Sequence, residues 1–213
     1  MIITVGLRDS KLSRKQLDEL IHLLSSEYEF QPTYLQTIGD RQLDVSLRNM
    51  DKTDFFTRDI DAIQLAGKVR ISLHSAKDLS EPLPQGLMMV ALTKGQDPSD
   101  SLVFREGENL ETLPSGALVG SSSPRRDKIV QTLRSDLLCV EVRGTIEKRL
   151  EKLFQDEIDA LVVAEAALIR LELTYLNRIS LPGPVAPLQG QLAVLAREGD
   201  HEMAKLFASL DSR

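Results

Sequence analysis

The sequence predicts an α/β fold of two domains, with the first domain interrupted by the second. Three observations lead to this prediction. Short apolar runs alternate with segments whose apolar residues recur at helical spacing. Residues 95–100 are rich in turn formers and separate two such series. A second loop, residues 181–187, holds three prolines, which disfavour helix and sheet interiors, and it precedes one more strand and helix.

The first series opens with a strand at residues 2–7, a short apolar run suited to burial. A helix follows, because Leu12, Leu17, Leu20, Ile21 and Leu24 share one helical face, and Ser10 is a candidate N-cap. The other predicted elements of this series are a strand at 33–37, a helix at 58–66 and strands at 69–73 and 87–92.

The second series has predicted strands at 117–119, 137–142 and 160–164 and helices at 124–133 and 145–155. Ser123 followed by Pro124 is typical of an N-cap and a first helical residue. An apolar run at 192–196 and a helix at 201–210 close the chain. We therefore expect a first domain of residues 1–94 plus 190–213 and a second of residues 95–189, with two crossings and a ligand cleft between the domains.

Composition excludes several classes of protein. The net charge of −6 disfavours general binding to nucleic acid, and the chain has few aromatic residues and no Trp for base stacking. No apolar run is long enough to span a membrane, and the amino terminus does not resemble a signal peptide, so we expect a cytoplasmic protein. Cys139 is the single cysteine, and the three histidines are scattered, which argues against a disulfide and a metal site.

Two polar motifs follow apolar runs. His74-Ser75-Ala76-Lys77-Asp78 ends a predicted strand, where open α/β sheets bind ligands, and Ser121-Ser122-Ser123-Pro124-Arg125-Arg126 starts a helix, where anions bind. Residues 120–150 hold seven Lys/Arg against four acids, a local charge of +3, although a helix with solvated charges would explain part of this excess. The two motifs predict a small ligand that carries several negative charges.

Many short motifs, in one order, resemble the porphobilinogen deaminase (hydroxymethylbilane synthase) family. They include Leu7-Arg8-Asp9-Ser10, Thr37-Ile38-Gly39-Asp40, Leu73 to Leu79, Asp97-Pro98-Ser99-Asp100, Gly120 to Arg126, Val142-Arg143-Gly144-Thr145, Arg170-Leu171 and Leu188-Gln189-Gly190-Gln191. The resemblance implies two periplasmic-binding-protein-like (type II) domains with the active cleft between them. It also implies a transferase of the tetrapyrrole (heme, porphyrin) pathway that joins four porphobilinogen units with loss of ammonia.

In this resemblance Asp78 occupies the position of the catalytic aspartate, which helps ammonia to depart and stabilises positive charge on the pyrrole nitrogen. From the residues alone, an Asp after a strand is also common as a helix cap. Binding of substrate or cofactor carboxylates is implied for Arg8, Ser10, Lys77, Ser122, Ser123, Arg125, Arg126, Arg143, Gly144, Arg149, Arg170 and Gln191. Arginine suits this role because its planar fork pairs with carboxylates and stays charged, although Arg143 and Arg170 could instead form surface pairs with neighbouring acids.

The sequence departs from the family pattern in several places. Family members carry a dipyrromethane cofactor on a cysteine of a third domain, whereas this chain is expected to be a short form without that domain and without a covalent attachment site. Cys139 lies in an apolar run and is interpreted as a buried, inert thiol. Residues 51–54 replace a Gly-Gly-Lys loop, with Lys52 as a possible substitute for its lysine, Ile38 replaces a basic residue and Leu195 a usually acidic one.

Two hypotheses follow. In the first, the chain is a deaminase that condenses porphobilinogen to a linear tetrapyrrole. In the second, it is a two-domain protein without catalysis that binds or senses a pyrrole carboxylate or another small anion. Both predict a small polycarboxylate as the partner, and we expect a monomer that binds neither nucleic acid nor membrane.

Overall fold

The computed structural model describes residues 1–24, 28–48, 50 and 53–213 of the chain. These residues form two compact units. The first unit comprises Met1–Gln42, Asp51–Gln96 and Pro187–Arg213, and the second comprises Leu43–Met50 and Asp97–Ala186. The predicted Lys52 substitution lies outside the described residues, as does Asp51.

Strands and helices alternate along both units. The strands are β1 (Ile2–Arg8), β2 (Glu29–Leu35), β3 (Ile71–Ser75), β4 (Leu87–Leu92), β5 (Asp100–Val103), β6 (Leu118–Ser121), β7 (Leu138–Glu141), β8 (Ala160–Ala164), β9 (Arg178–Leu181) and β10 (Leu192–Arg197). The helices are α1 (Lys11–Leu24), α2 (Ile38–Arg41), α3 (Arg58–Leu65), α4 (Pro124–Leu133), α5 (Ile146–Phe154), α6 (Glu165–Arg170) and α7 (His201–Phe207), with 3-10 turns at Asp54–Phe56, Ala76–Asp78 and Ala208–Leu210.

The sheet of the first unit has the strand order β2-β1-β3-β10-β4. β1 runs parallel to β2 and β3, whereas β10 is antiparallel to β3 and β4. Alternate residues of β1, Ile3, Val5 and Leu7, are fully buried, and they pack with Leu17 and Leu20 of α1 in the core. The carboxyl ends of β1 and β3 therefore meet at one edge of the sheet, which places Arg8 and the His74 motif at the same edge.

The sheet of the second unit has the order β7-β6-β8-β5-β9. β6 is parallel to β7 and β8, and β5 is antiparallel to β8 and β9. Its core contains Leu102, Phe104, Val119, Val130 and Val162, all at most 1% exposed. The carboxyl ends of β6 and β7 carry the predicted anion-binding loops.

Local signals in the sequence located most of these elements. The predicted boundaries of β4, α4 and β8 agree with the structure, and Ser10 caps α1 as predicted, since its Oγ accepts a hydrogen bond from the Ser13 N–H at 3.1 Å. The strand predicted at 33–37 is wrong by several residues, because β2 is Glu29–Leu35. The sequence missed β5, which starts inside a stretch of turn formers, and also α2, α6 and β9, which are at most six residues long.

The two segments next to the unit boundaries lie side by side within the first unit. The Thr93 N–H donates to the Leu192 oxygen at 2.9 Å, and the Gln96 N–H donates to the Gly190 oxygen at 3.1 Å. Gly95 has φ +84°, and a Cβ there would lie 2.8 Å from the Gln191 Cγ. Only glycine therefore fits this close approach without a shift of the backbone.

No helix among residues 1–24, 28–48, 50 and 53–213 is long and apolar enough to cross a membrane. In the same part of the chain, no group of three or more His, Cys, Asp or Glu side chains could hold a metal ion.

Candidate functional site

Asp78 lies at the end of the 3-10 turn that follows β3. The turn is fixed on several sides, because the Ser75 Oγ accepts from Gln16 Nε2 at 2.8 Å and the Ala76 N–H donates to the Gln191 oxygen at 3.0 Å. Lys77 Nζ donates to Oε1 of the buried Gln189 at 3.4 Å. The Asp78 side chain is half-buried, and among the described residues its carboxylate has no hydrogen-bond or ion-pair partner. A rigid backbone thus carries a carboxylate that is available to a ligand.

His74, next to this turn, is buried in a polar chain. Its Nε2 lies 2.9 Å from the Ser72 Oγ, which donates to Gln64 Oε1 at 2.7 Å. Since the Ser72 hydroxyl has one proton, His74 Nε2 must be the donor. Burial, together with the nearby charge of Arg8, lowers the pKa of His74 to about 4. His74 is therefore neutral at physiological pH and supports β3 from within.

Arg8, at the end of β1, is paired inside the first unit. Its guanidinium forms a two-point ion pair with Asp40, and its Cζ lies 4.5 Å above the ring of Phe56. Burial would raise the pKa of Asp40, but the hydrogen bonds and charge of Arg8 and the bonds from Thr37 outweigh it and hold the pKa below its usual value. The Thr37-Ile38-Gly39-Asp40 motif thus fixes Arg8, a role that the sequence did not predict for Asp40.

The start of α4 has the predicted geometry. Ser123 is the N-cap and Pro124 the first helical residue, but the Ser123 hydroxyl makes no capping bond and has no partner within the described part of the chain. Ser122 Oγ donates to the Val142 oxygen, which ties this loop to the end of β7. The Ser123 hydroxyl therefore lies at the amino terminus of a helix, where anions are favoured.

Arg125 and Arg126 both bind Asp100, the first residue of β5. Arg125 Nη2 lies 2.6 Å from Asp100 Oδ2, and Arg126 Nε lies 3.0 Å from Oδ1. Asp100 is 1% exposed and Arg126 is 7% exposed, whereas Arg125 is half-buried and also donates to the Pro184 oxygen. Arg126 therefore belongs to the interior of the second unit, and Arg125 is the more accessible of the two.

The loop between β7 and α5 and the start of α5 carry three more residues that were predicted to bind the ligand. Arg143 donates through Nη1 to the Val45 oxygen, and Arg149 Nε donates to the Gly144 oxygen at 2.9 Å. Gly144 has φ +98°, a backbone conformation that favours glycine. Thr145 caps α5, accepting from the Lys148 N–H at 3.5 Å. Both arginines are half-buried and oriented by backbone carbonyls.

Arg170 is buried, and Gln191 is bound to a neighbouring segment. Arg170, the last residue of α6, is only 9% exposed, so the alternative of a surface pair is wrong for this residue. Gln191 donates through Nε2 to the Thr93 oxygen at 2.9 Å, which places it among the boundary segments of the first unit. Its backbone oxygen holds the Asp78 turn through Ala76, so Gln191 affects the candidate site indirectly.

Cys139 lies on β7, an edge strand, and is half-buried, not fully buried as expected. Burial, with the nearby charge of Asp127, raises the pKa of its thiol to about 11, although Arg48 opposes this shift. Because the thiolate is the reactive form, a raised pKa lowers the reactivity of this thiol at neutral pH.

Asp40 and Asp100 belong to motifs recognised in the sequence, but their structural roles were not predicted. Each is a carboxylate that holds arginines assigned to the ligand, at separations of 32 residues for Asp40 and Arg8 and 26 for Asp100 and Arg126. The signal that could have found them is the pairing of an acid in one motif with an arginine in another.

Comparisons with known proteins agree with this geometry. The family model described as "Porphobilinogen deaminase, dipyromethane cofactor binding domain" matches residues 3–205. The chain is 36% identical over 211 residues to the probable porphobilinogen deaminase of Chlamydia pneumoniae, covering 98% of this chain and 89% of that protein. It is 37% identical over 219 residues to the porphobilinogen deaminase of Pelotomaculum thermopropionicum, covering 99% of this chain and 70% of that one.

Solved structures identify the fold. The methionine-binding protein MetQ aligns with a TM-score of 0.62 at 12% identity, over 98% of this chain and 89% of that one. Lipoprotein Tp32 from Treponema pallidum aligns with a TM-score of 0.59 at 11% identity, over 98% and 90%. The predicted periplasmic-binding-protein-like fold of type II is thereby confirmed. Since the family model spans nearly all of the chain and over a third of positions match these relatives, the chain belongs to the porphobilinogen deaminase family of transferase enzymes.

Proposed function

We propose that this chain condenses porphobilinogen units head to tail into a linear tetrapyrrole, and that Asp78 is its catalytic residue. The observation that supports Asp78 most directly is its environment. Its carboxylate is half-buried and has no partner among the described residues, while the neighbouring residues Ser75, Ala76 and Lys77 are bound by Gln16, Gln191 and Gln189 respectively. A carboxylate left unpaired on a rigid turn is available for chemistry.

Each condensation step breaks one C–N bond and forms one C–C bond. The amino nitrogen of the aminomethyl group leaves as ammonia with the proton that the pyrrole N–H gives up, and the methylene carbon stays on the ring as part of an electrophilic azafulvene, whose nitrogen regains a proton after the attack. The free α-carbon of a second pyrrole attacks the methylene carbon and then loses its own proton. In this proposal Asp78 assists the departure of ammonia and stabilises the positive charge on the pyrrole nitrogen.

The growing product gains an acetate and a propionate with each pyrrole, so its carboxylates need cations that stay charged. We assign this role to the start of α4 with Ser123 and Arg125, to Arg143 in the β7–α5 loop and to Arg149 near the start of α5. Each of these arginines is half-buried and directed by a carboxylate or a carbonyl of the protein, so less side-chain entropy is lost when the ligand binds. Arg126 is buried, and we assign it to the support of Asp100 and Arg125.

The donor set of the second unit fits the carboxylates of a dipyrromethane, the cofactor named in the family model. When bound, this group supplies the pyrrole chain on which the product is extended. Ser123, Arg143 and Arg149 would hold its carboxylates. Cys139 does not fit as its attachment residue, because the thiol is half-buried and its pKa is raised to about 11.

The proposal is tested by incubating the purified chain with porphobilinogen and measuring loss of substrate, release of ammonia and the mass of the product. We expect one ammonia released for each porphobilinogen consumed. Replacing Asp78 by Asn should lower kcat at least a hundredfold, because Asn has the same shape but neither charge nor proton to exchange. The matched control is Asp18→Asn, an exposed aspartate on α1, which should leave kcat unchanged.

Binding measurements separate this proposal from a carrier or sensor of pyrrole carboxylates. If the wild-type chain binds porphobilinogen but does not consume it under conditions in which another deaminase is active, the second hypothesis is correct. If Asp78→Asn retains more than a tenth of the wild-type kcat, Asp78 is not the catalytic residue.

A further inference from the structure

Residues 45–48, which we call the strap, belong to the second unit although the chain on both sides of them belongs to the first. Their side chains are half-buried, so the strap lies against the second unit. The contacts come from the edge strand β7, from the loop after it and from the first turn of α4. These elements carry the residues that we propose bind the carboxylates of the substrate.

Glu141, the last residue of β7, holds the middle of the strap. Its Oε2 accepts from the Ser46 Oγ at 2.6 Å, and its Oε1 accepts from the Leu47 N–H at 2.8 Å. The Ser46 Oγ also accepts from the Arg48 N–H at 3.2 Å, which closes a local turn. Both oxygens of the carboxylate are thus used by one short segment.

The two ends of the strap are bound as well. Arg48 Nη2 lies 3.2 Å from Asp127 Oδ2 on α4 and donates to the Cys139 oxygen at 3.3 Å. At the other end, the Val45 oxygen accepts from Arg143 Nη1. Arg143 and Glu141 are two residues apart on the same chain segment, so a single stretch of β7 and its loop contacts both Val45 and Leu47.

We propose that Glu141 is a positioning residue for the reaction, acting on Arg143 through the strap. Glu141 fixes Ser46 and Leu47, and this fixes the position of the adjacent Val45 carbonyl. The Val45 carbonyl in turn orients the Arg143 guanidinium. The Val45 carbonyl engages Arg143 through Nη1, so the strap sets the orientation of a planar guanidinium that pairs well with carboxylates. This inference rests on the proposed role of Arg143 in substrate binding.

The negative charge of Glu141 also supports a role for the strap. A carboxylate beside a site for anionic ligands weakens binding unless its charge is engaged elsewhere. Here both oxygens accept hydrogen bonds from the strap, and the strap also brings the positive charge of Arg48. Loss of the strap would therefore free Arg143 to adopt other rotamers and expose a negative charge near the ligand.

The first experiment needs no substrate. Amide hydrogen exchange in Glu141→Ala should accelerate at Leu47 and Arg48 at least tenfold, because the Leu47 N–H loses its acceptor and Ser46 its anchor. The strand and helix cores should keep the wild-type exchange rates. The matched control is Glu151→Ala, an exposed glutamate on α5, for which no residue should change. Unchanged exchange at Leu47 and Arg48 in Glu141→Ala overturns the proposal.

The second experiment measures kcat and KM for porphobilinogen in a double-mutant cycle. Glu141→Ala should raise KM about five- to tenfold with kcat within about twofold, and it should have little further effect in an Arg143→Lys background. An equal increase of KM in both backgrounds would mean that Glu141 acts independently of Arg143, and it would overturn the proposal. Ser46→Ala, which removes one of the two bonds to Glu141, should give a smaller increase in the same direction.

The cycle also separates the two proposals. If Arg143→Lys by itself leaves KM unchanged, the assignment of Arg143 to substrate binding fails. If Arg143→Lys raises KM and Glu141→Ala does not, the substrate-binding role stands and the positioning role of Glu141 fails.

Discussion

Asp78 in the first unit and Asp100 in the second are both aspartates of recognisable motifs, but the structure surrounds them in opposite ways. Asp78 is half-buried and has no partner in the described part of the chain. Asp100 is 1% exposed and binds two guanidiniums. We propose that the available carboxylate exchanges protons with a ligand, whereas the saturated one keeps two arginines in place.

Asp61 on α3 is a third case. It is 3% exposed, and neither of its carboxylate oxygens makes a hydrogen bond with good geometry among the described residues. Burial raises its pKa and the charge of Asp54 adds to this, although the nearby Thr57 hydroxyl opposes it. Compared with Asp100, Asp61 shows what burial does to an aspartate without a cation.

The largest expected effect is that of Asp100→Asn. The substitution leaves two guanidiniums, one of them buried, without their counter-charge, and it should lower the free energy of unfolding by about 3 to 5 kcal/mol in urea titrations at pH 7. The control is Asp156→Asn, since Asp156 is 79% exposed and its pair with Arg105 should contribute about 0 to 1 kcal/mol. Equal losses of unfolding free energy in Asp100→Asn and Asp156→Asn would contradict the difference between a buried and an exposed ion pair.

The pH dependence checks the same pair. Burial would raise the pKa of Asp100, but the charges and hydrogen bonds of Arg126 and Arg125 outweigh it, so the pKa is lowered. The stabilisation is then fully present above the pKa of an unfolded Asp, about 3.9, and is lost as the pH falls through the lower folded value. The difference between wild type and Asp100→Asn should therefore shrink below about pH 4.

Asp61→Asn should have an effect of the opposite sign. Since the folded pKa is raised, wild type loses stability as the pH rises from the unfolded pKa through the folded one. Asn removes the charge, so it should raise the free energy of unfolding at pH 7 by about 1 kcal/mol, and the gain should vanish below about pH 4. A loss of stability at pH 7 would mean that Asp61 has a favourable partner when ionised.

The smallest effect on stability is expected for Asp78→Asn. No partner is lost within the described residues, so the free energy of unfolding should stay within about 0.5 kcal/mol of wild type while catalysis falls. A large loss of stability would assign Asp78 to the structure of the turn. Urea titrations alongside the kinetic assay of the same sample check this prediction.

Several helices and strands could be predicted because their signals are local in the sequence. Ser123-Pro124 predicts the start of α4, and the apolar runs at 87–92 and 160–164 predict β4 and β8. These predictions succeed because a helix cap or a buried strand depends on only a few neighbouring residues. The placement of Asp78 after a strand followed from the same signals, whereas Arg8, Arg143 and Arg149 were assigned from the resemblance to the family.

The sequence by itself determined the alternation of strands and helices and the family. It also determined which residues are candidates for binding an anion. Only the tertiary structure decided which of these residues are already engaged: Arg126 by Asp100, Arg8 by Asp40 and Arg143 by Val45. The physical reason is that such pairs join residues 26 to 98 positions apart, and their strength depends on burial, which the order of residues along the chain does not specify.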